Sequence, residues 1–503
     1  AKLVYDAKMT LRWVALCLGE LRDGLTMINM QSAFLIAAKN YTEKQVGVMF
    51  FVFGMSQFLF QAPAGYLFDY TDKKIQALAA ACIATTLLTL LTAATAEEDG
   101  ANIGLMIVIK FIQGAVTALI PPGLNSISQG IVGSVGMTKQ VSMNEMMNHF
   151  GTALIVLSGS LMAYFLYPEI GSLFAVSAIA CTGVLVFLSM IKPEAIDHNA
   201  ARGLTETSAA ADNQSLGSLS KYQLTNTDGS IPGVNKPKDQ IQTKPSFNFG
   251  FGGQQTNAAV SGPKADTPLQ VLRDPTLLTF IVLCFLFHTA NGTILPLVMQ
   301  TLAIGEGRIG ILFSGLCIIV AQVIMVGSAK ICGDYSSLYG RKPLFLVGLF
   351  SVSIRCVILV ILITIRESSG SSHLIQIAIL STQLLDGIGA GFFGTMYILV
   401  TSDISRGTGR FSMTLGLTTA AMSIGGTVSG YLGQALAQDL GYKQAFVILG
   451  VMSLVPALLY LFCIPETYIP PELSAMGSIQ EGDEEEHDKT VGDTAAAVKS
   501  EMV

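Results

Sequence analysis

Apolar residues run along this chain in twelve blocks of roughly spanning length, about 20 residues each, separated by short polar turns and one long polar gap. The blocks cover 11–38, 46–67, 75–95, 103–130, 141–167 and 170–191, then 277–302, 310–332, 343–365, 374–400, 411–437 and 442–464. Backbone in lipid must satisfy its own hydrogen bonds, so uniform runs of this length predict helices. The expected fold class is an all-α membrane protein, with twelve transmembrane helices in two six-helix halves, 1–191 and 277–464. Residues 192–276 between them are rich in Ser, Thr, Asn, Gln and Gly, including Phe247-Asn248-Phe249-Gly250-Phe251-Gly252-Gly253. They predict a disordered linker, because such a composition buries no core. The tail, 465–503, reads the same way, with an acidic run from Glu481 to Asp488.

The exceptions inside the blocks carry more information than the blocks. The first block holds Glu20, Arg22 and Asp23. A charge at membrane depth costs about 3 kcal/mol or more, so it persists only facing a partner or a wet cavity. Lys110 interrupts block four, and Asn144, Glu145, Asn148 and His149 interrupt block five. His288 and Asn291 lie in block seven ahead of Pro296, and Gln383 and Asp386 in block ten. Glu20 and Asp23 share a helix face, about 4.5 Å apart along the axis, while Arg22 lies about 160° around from Glu20. Glu145, Asn148 and His149 also share one face. Two carboxylates so placed suit the loading and release of a proton, with Lys110 competing for the same carboxylate. The competing reading is a set of structural ion pairs, for example Arg22 with Glu145. Asp386 sits in a glycine-rich helix where backbones approach closely, and either pairs structurally or touches substrate.

Composition narrows the class. The chain is 51% hydrophobic and only 13% charged, against about 25% charged for soluble domains. Its net charge of −6 and lack of a dense basic patch exclude nucleic acid as a partner. All eight cysteines fall in the blocks without ligand spacing, so buried thiols are expected and no metal. No nucleotide loop, metal cluster or nucleophile elbow is present in the sequence, which argues against an enzyme, catalytic residues or a cofactor other than a proton gradient. An even number of spans puts both termini on one side. Lys73, Lys74, Lys139, Arg341, Lys342, Arg406 and Arg410 outnumber Lys39, Lys44, Arg308, Arg366 and Lys443 across the short loops. The termini are therefore expected in the cytoplasm, with the protein in the plasma membrane or an endomembrane. The expected partners are lipid and a small-molecule substrate, bound by a monomer.

Two loops repeat a pattern. After block two the chain reads Gly65-Tyr66-Leu67-Phe68-Asp69-Tyr70-Thr71-Asp72-Lys73-Lys74, and after block eight Gly333-Asp334-Tyr335-Ser336-Ser337-Leu338-Tyr339-Gly340-Arg341-Lys342. Both resemble the signature loop of the major facilitator superfamily, although Asp72 replaces a Gly in the first and Ser337 an Asp in the second. The resemblance implies that these loops latch the halves together on the cytoplasmic side, with the second latch lacking its acid. Lys110-Phe111-Ile112-Gln113-Gly114 resembles the span-four motif of proton-coupled members. Lys110 stands at their Arg, which keeps the charge and loses the bidentate fork. Block five lacks the Gly-Pro-rich signature of drug–proton antiporters. Leu21-Arg22-Asp23-Gly24, Ala195-Ile196-Asp197-His198 and Gly407-Thr408-Gly409-Arg410-Phe411 are similar to a bacterial-type branch of the superfamily.

The resemblance implies a midplane cavity lined mainly by spans one, four, seven and ten, the spans that carry most of these polar residues. It implies a secondary active transporter of a small organic solute that works by alternating access. Proton coupling is the first reading, with efflux the favoured direction. A facilitative uniporter, or a transporter-like receptor or scaffold, are the alternatives.

Overall fold

The computed structural model describes residues 2–23, 31, 34–166, 170–204, 265–303, 308–370 and 372–468. Residues 205–264 and 469–503, which hold most of the expected linker and tail, lie outside the described residues, as does the side chain of Asp23.

The described chain is almost entirely helical. Span one is Lys2–Asp23, span two Glu43–Tyr70 and span three Lys74–Thr95. Span four begins as Ile103–Thr117 and runs into Ile120–Leu166, a single helical stretch that also contains span five. Residues 131–140, expected as a loop, are helical apart from a break at Gly133, whose φ of +66° is open to glycine without strain. Span six is Ala175–Met190, and span seven is Pro275–Asn291 followed by Ile294–Ala303. Spans eight and nine are Arg308–Tyr339 and Arg341–Ser369. Span ten is His373–Ser381 with Gln383–Ile404, span eleven Phe411–Leu440 and span twelve Tyr442–Cys463.

Among the described residues, nine helical stretches are long and apolar enough to cross a membrane, and one of them, Ile103–Met162, contains two spans. Span one falls short through its charges and span eleven through its Ser, Thr and Gly.

The linker is narrower than its composition implied. Pro193–Ala195, His198–Arg202 and Pro268–Val271 are helical, which corrects the expectation of disorder from 192 to 276 at both edges. Asp197 and Thr267 cap two of these short helices through side-chain oxygens. Both edges then dock on the turn after span ten. Gly407 N donates to Gly203 O at 2.8 Å, Asp266 N to Thr408 O at 2.9 Å, and Arg410 Nε to Asp266 O at 2.8 Å.

Each half buries its own apolar cluster, around Leu11, Phe68, Leu78 and Val184 in the first and Phe280, Phe345, Leu349 and Phe446 in the second. The halves meet where span two packs on eleven and span five on eight. A Cβ at Gly65 would lie 2.0 Å from the Ser412 carbonyl oxygen, and one at Gly416 2.3 Å from that of Gln61. Only glycine permits so close a backbone contact.

Candidate functional site

The polar residues of the spans fall into two buried groups and one chain that links the halves. The linking chain starts at Arg22, which turns away from span one as its helical phase implied. Arg22 Nη1 donates to Glu145 Oε1 of span five at 3.0 Å. His149, one turn on, brings Nε2 to 3.9 Å from Glu145 Oε2, and its Nδ1 lies 2.8 Å from Oε1 of Gln322 in span eight. Spans one and five of the first half are thus tied to span eight of the second through a carboxylate that is 2% exposed. Glu20, fully buried, and Asn148, whose Nδ2 has no hydrogen-bond partner, lie close by in sequence. Asn144 is spent structurally, accepting from Gln140 Nε2 at 2.8 Å and donating to Ser128 Oγ at 3.0 Å.

The second group surrounds Lys110. Lys110 reaches no carboxylate among the described residues. Its Nζ donates to Oε1 of Gln31 and, at 2.7 Å, to Oε1 of Gln113. Gln113 Nε2 in turn donates to Thr89 Oγ1 of span three at 2.8 Å. Gly114 makes this possible, because a Cβ there would lie 2.4 Å from the Phe53 carbonyl oxygen of span two. Asp23, one of the carboxylates expected to share Lys110 with a proton, has its side chain outside the described residues; what is described around the ammonium is two amide oxygens and, 5.9 Å away, the Phe50 ring.

The third group was missed from sequence. Arg355 of span nine is fully buried. Its Nη1 pairs with Asp386 Oδ1, and its Nη2 donates to Gln383 Oε1 at 3.0 Å. Of the two readings for Asp386, the structure shows the internal pair. The signal was available: a lone arginine in an apolar span must have a partner. His288 and Asn291 are not joined to any of these groups. His288 bonds the Cys284 carbonyl of its own helix at 3.1 Å and lies against the Phe393 ring, 5.0 Å between centroids, while Asn291 Oδ1 is buried without a partner.

The two repeated loops lie at the end that carries the termini. Asp69, 1% exposed, accepts from Ser412 N and Met413 N, both at 2.9 Å. It satisfies two of the orphan N–H groups at the start of span eleven, at the positive end of that helix. Lys74 is buried and donates to the Phe68 carbonyl, while Lys73 is exposed. Arg410, which follows the turn after span ten, lies over the rings of Tyr66 and Tyr70 at 5.2 and 4.9 Å.

In the second loop Ser337 is exposed, and Gly340 turns the chain at φ +86°. Arg341 Nε pairs with Asp403 at 3.0 Å, and its Nη2 crosses to Thr138 Oγ1 of the first half at 2.8 Å. A Cβ at Gly333 would lie 2.6 Å from Ser142 Cβ. The start of span nine does receive an acid, but from beyond span twelve. Glu466 accepts from Arg341 N at 2.8 Å and Lys342 N at 3.0 Å, and Lys342 Nζ donates to Ile464 O at 2.7 Å. The expected disorder of the tail is corrected for this first stretch, and so is the expectation that the second loop has no acid.

Two six-helix halves with repeated latch loops, and buried polar groups placed between helices, define a multi-pass membrane transporter. The chain belongs to the Major Facilitator Superfamily, whose family model matches residues 13–405 and 333–479. It is an integral membrane protein of a family that moves solutes across membranes. Two relatives in Mycobacterium tuberculosis, from strains CDC 1551 / Oshkosh and H37Rv, are each described as an uncharacterized MFS-type transporter. Each is 29% identical over 450 residues, covering 90% of this chain and 91% of the relative. Among solved structures, the proton:xylose symporter XylE bound to 6-bromo-6-deoxy-D-glucose superposes with a TM-score of 0.65 at 14% identity, over 94% of this chain and 99% of the symporter. At that identity the likeness concerns the fold.

Proposed function

We propose that the chain is a proton-coupled secondary transporter of a small organic solute, working by alternating access, with termini in the cytoplasm and efflux as its direction. The observation that carries this is the chain Arg22–Glu145–His149–Gln322. It places a buried carboxylate and a histidine on the seam between the two halves. A proton arriving at Glu145 weakens its pull on Arg22 and on a charged His149, so protonation and the packing of span five against span eight are physically linked. Span one supplies the cation through Arg22, and the principal proton site of this reading is Glu145. The cytoplasmic placement follows from the basic side chains gathered at the latched end, Lys73, Lys74, Arg341, Lys342, Arg406 and Arg410.

The test uses the full chain in proteoliposomes that contain a pH-sensitive dye. Solute pools are added with and without an imposed pH gradient. Coupled transport moves protons with solute in the wild type and loses that movement in Glu145→Gln, while solute-driven exchange survives. Solute flux indifferent to the gradient would mean a uniporter, and no flux of any pool would favour a receptor or scaffold.

A further inference from the structure

The two halves carry matching motifs in their fourth helices with opposite internal chemistry. Lys110-x-x-Gln113-Gly114 in span four corresponds to Gln383-x-x-Asp386-Gly387 in span ten. Both glycines let the helix press on the second helix of its own half: a Cβ would lie 2.4 Å from Phe53 O at Gly114 and 2.6 Å from Ala321 O at Gly387. Both motifs bond to the third helix of their half, Gln113 to Thr89 and Asp386 to Arg355. In the second half the buried cation has a built-in carboxylate. In the first, no described side chain supplies one.

Donors and acceptors around Lys110 do not balance. The ammonium carries three donors, two of them directed at Gln31 and Gln113. The bond from Lys110 fixes which end of the Gln31 amide is oxygen, and the other end, Nε2, is buried with no acceptor. Gln31 is fully buried and Lys110 is 1% exposed. An ammonium and an amide N–H₂ that meet no negative group among the described side chains make an electron-poor site. Burying such a cation against amide dipoles and a ring face is costly, and an anion offsets that cost.

We infer that the Lys110–Gln31–Gln113 group is the recognition site for a carboxylate on the transported solute, which takes in the first half the place that Asp386 takes in the second. This rests on the transporter reading above and adds the chemical class of its substrate: a small organic acid.

The experiment measures thermal unfolding of the purified full chain with benzoate, succinate or inorganic phosphate, and with benzamide and succinamide as neutral controls. The expected result is stabilisation by at least one carboxylate and by neither amide. Lys110→Gln should bind that carboxylate at least about tenfold more weakly, the loss of a charge-assisted bond, while Lys110→Arg retains it. Should Lys110→Gln fail to fold, Gln31→Leu keeps the cation and should still weaken the response. The inference is overturned by equal responses to acid and amide, by stabilisation with phosphate alone, by no response at all, or by a carboxylate response unchanged in the Lys110 or Gln31 variant. Lys110-dependent binding without uptake into proteoliposomes would sink the transporter reading and keep the site. Uptake of a neutral solute unaffected by Lys110→Gln would do the reverse.

Discussion

The first half keeps a buried lysine among neutral amides, and the second keeps a buried arginine against an aspartate, at matching places in the same six-helix plan. The comparison separates two uses of charge in a membrane. The charges of Arg355 and Asp386 meet each other, so this group is closed in charge and holds spans nine and ten together, although Arg355 Nε and Gln383 Nε2 are buried without a hydrogen-bond partner. Among the described side chains Lys110 meets two amide oxygens and the Phe50 ring and no carboxylate, so its group is open to a negative charge from elsewhere. Charge count in a span says little; whether a buried charge already has its counter-charge decides between structure and binding.

The largest effect expected from that contrast is on stability in the second half. Asp386→Ala leaves Arg355 buried and unpaired and should destabilise by about 3–5 kcal/mol. The double variant Arg355→Met with Asp386→Leu should recover most of it, because an apolar pair of similar volume often replaces a buried ion pair at little cost. Thermal unfolding of the single and double variants in detergent measures both, and a double variant no better than Asp386→Ala would show that the pair holds more than itself.

Lys110 should respond with the opposite sign. Lys110→Met removes a buried charge that has no counter-charge among the described side chains, and stability should rise by about 1 kcal/mol or more, even though Gln31 and Gln113 lose a partner. Transport should fall to background in the same variant. A Lys110→Met protein as destabilised as Asp386→Ala would erase the distinction between the open and closed groups.

The sequence made most of this fold legible, because most spans are long, apolar and bounded by turn residues. It revealed the site unevenly. Charges announce themselves at membrane depth, so Glu20, Arg22, Lys110, Glu145, His149 and Asp386 could be named, and the helical phase of Arg22 already pointed it off span one. Pairing depends on how helices dock. Gln31 meeting Lys110 joins spans one and four, and no spacing within either span encodes it. Arg355 lies in span nine, outside the spans expected to line a cavity, and its pairing with Asp386 depends on how spans nine and ten dock. Glu466 was overlooked because it opens a tail whose composition reads as unstructured, although its first residues fold back onto span nine.

The latch loops extend the comparison to the end of the molecule that bears the termini. Asp69 is a direct tie between halves, since its two bonds reach span eleven. Asp69→Asn removes the charge and one acceptor, a loss of about 1 kcal/mol, which shifts a two-state population roughly fivefold. Opening at this end should increase and transport slow, as read by distance distributions between spin labels across spans two and eleven. Unchanged distributions would reduce the loop to a topology signal.

The smallest effects belong to the second loop, and they test whether its acid has moved rather than vanished. Glu466 serves only its own half, where it accepts from the first two backbone N–H groups of span nine and so does for that helix what Asp69 does for span eleven. Glu466→Gln should therefore lower stability by about 0.5–1 kcal/mol and leave the distances between the halves unchanged, because the crossing bond here, Arg341 to Thr138, comes from a side chain that Asp403 also holds. Restoring the absent acid by Ser337→Asp should change stability by less than about 0.5 kcal/mol, since Ser337 is exposed and the N–H groups it would serve are already taken. If Ser337→Asp instead narrows the distances between spans five and eight, the loop retains a vacant acceptor position facing the first half, and the role given to Glu466 is wrong.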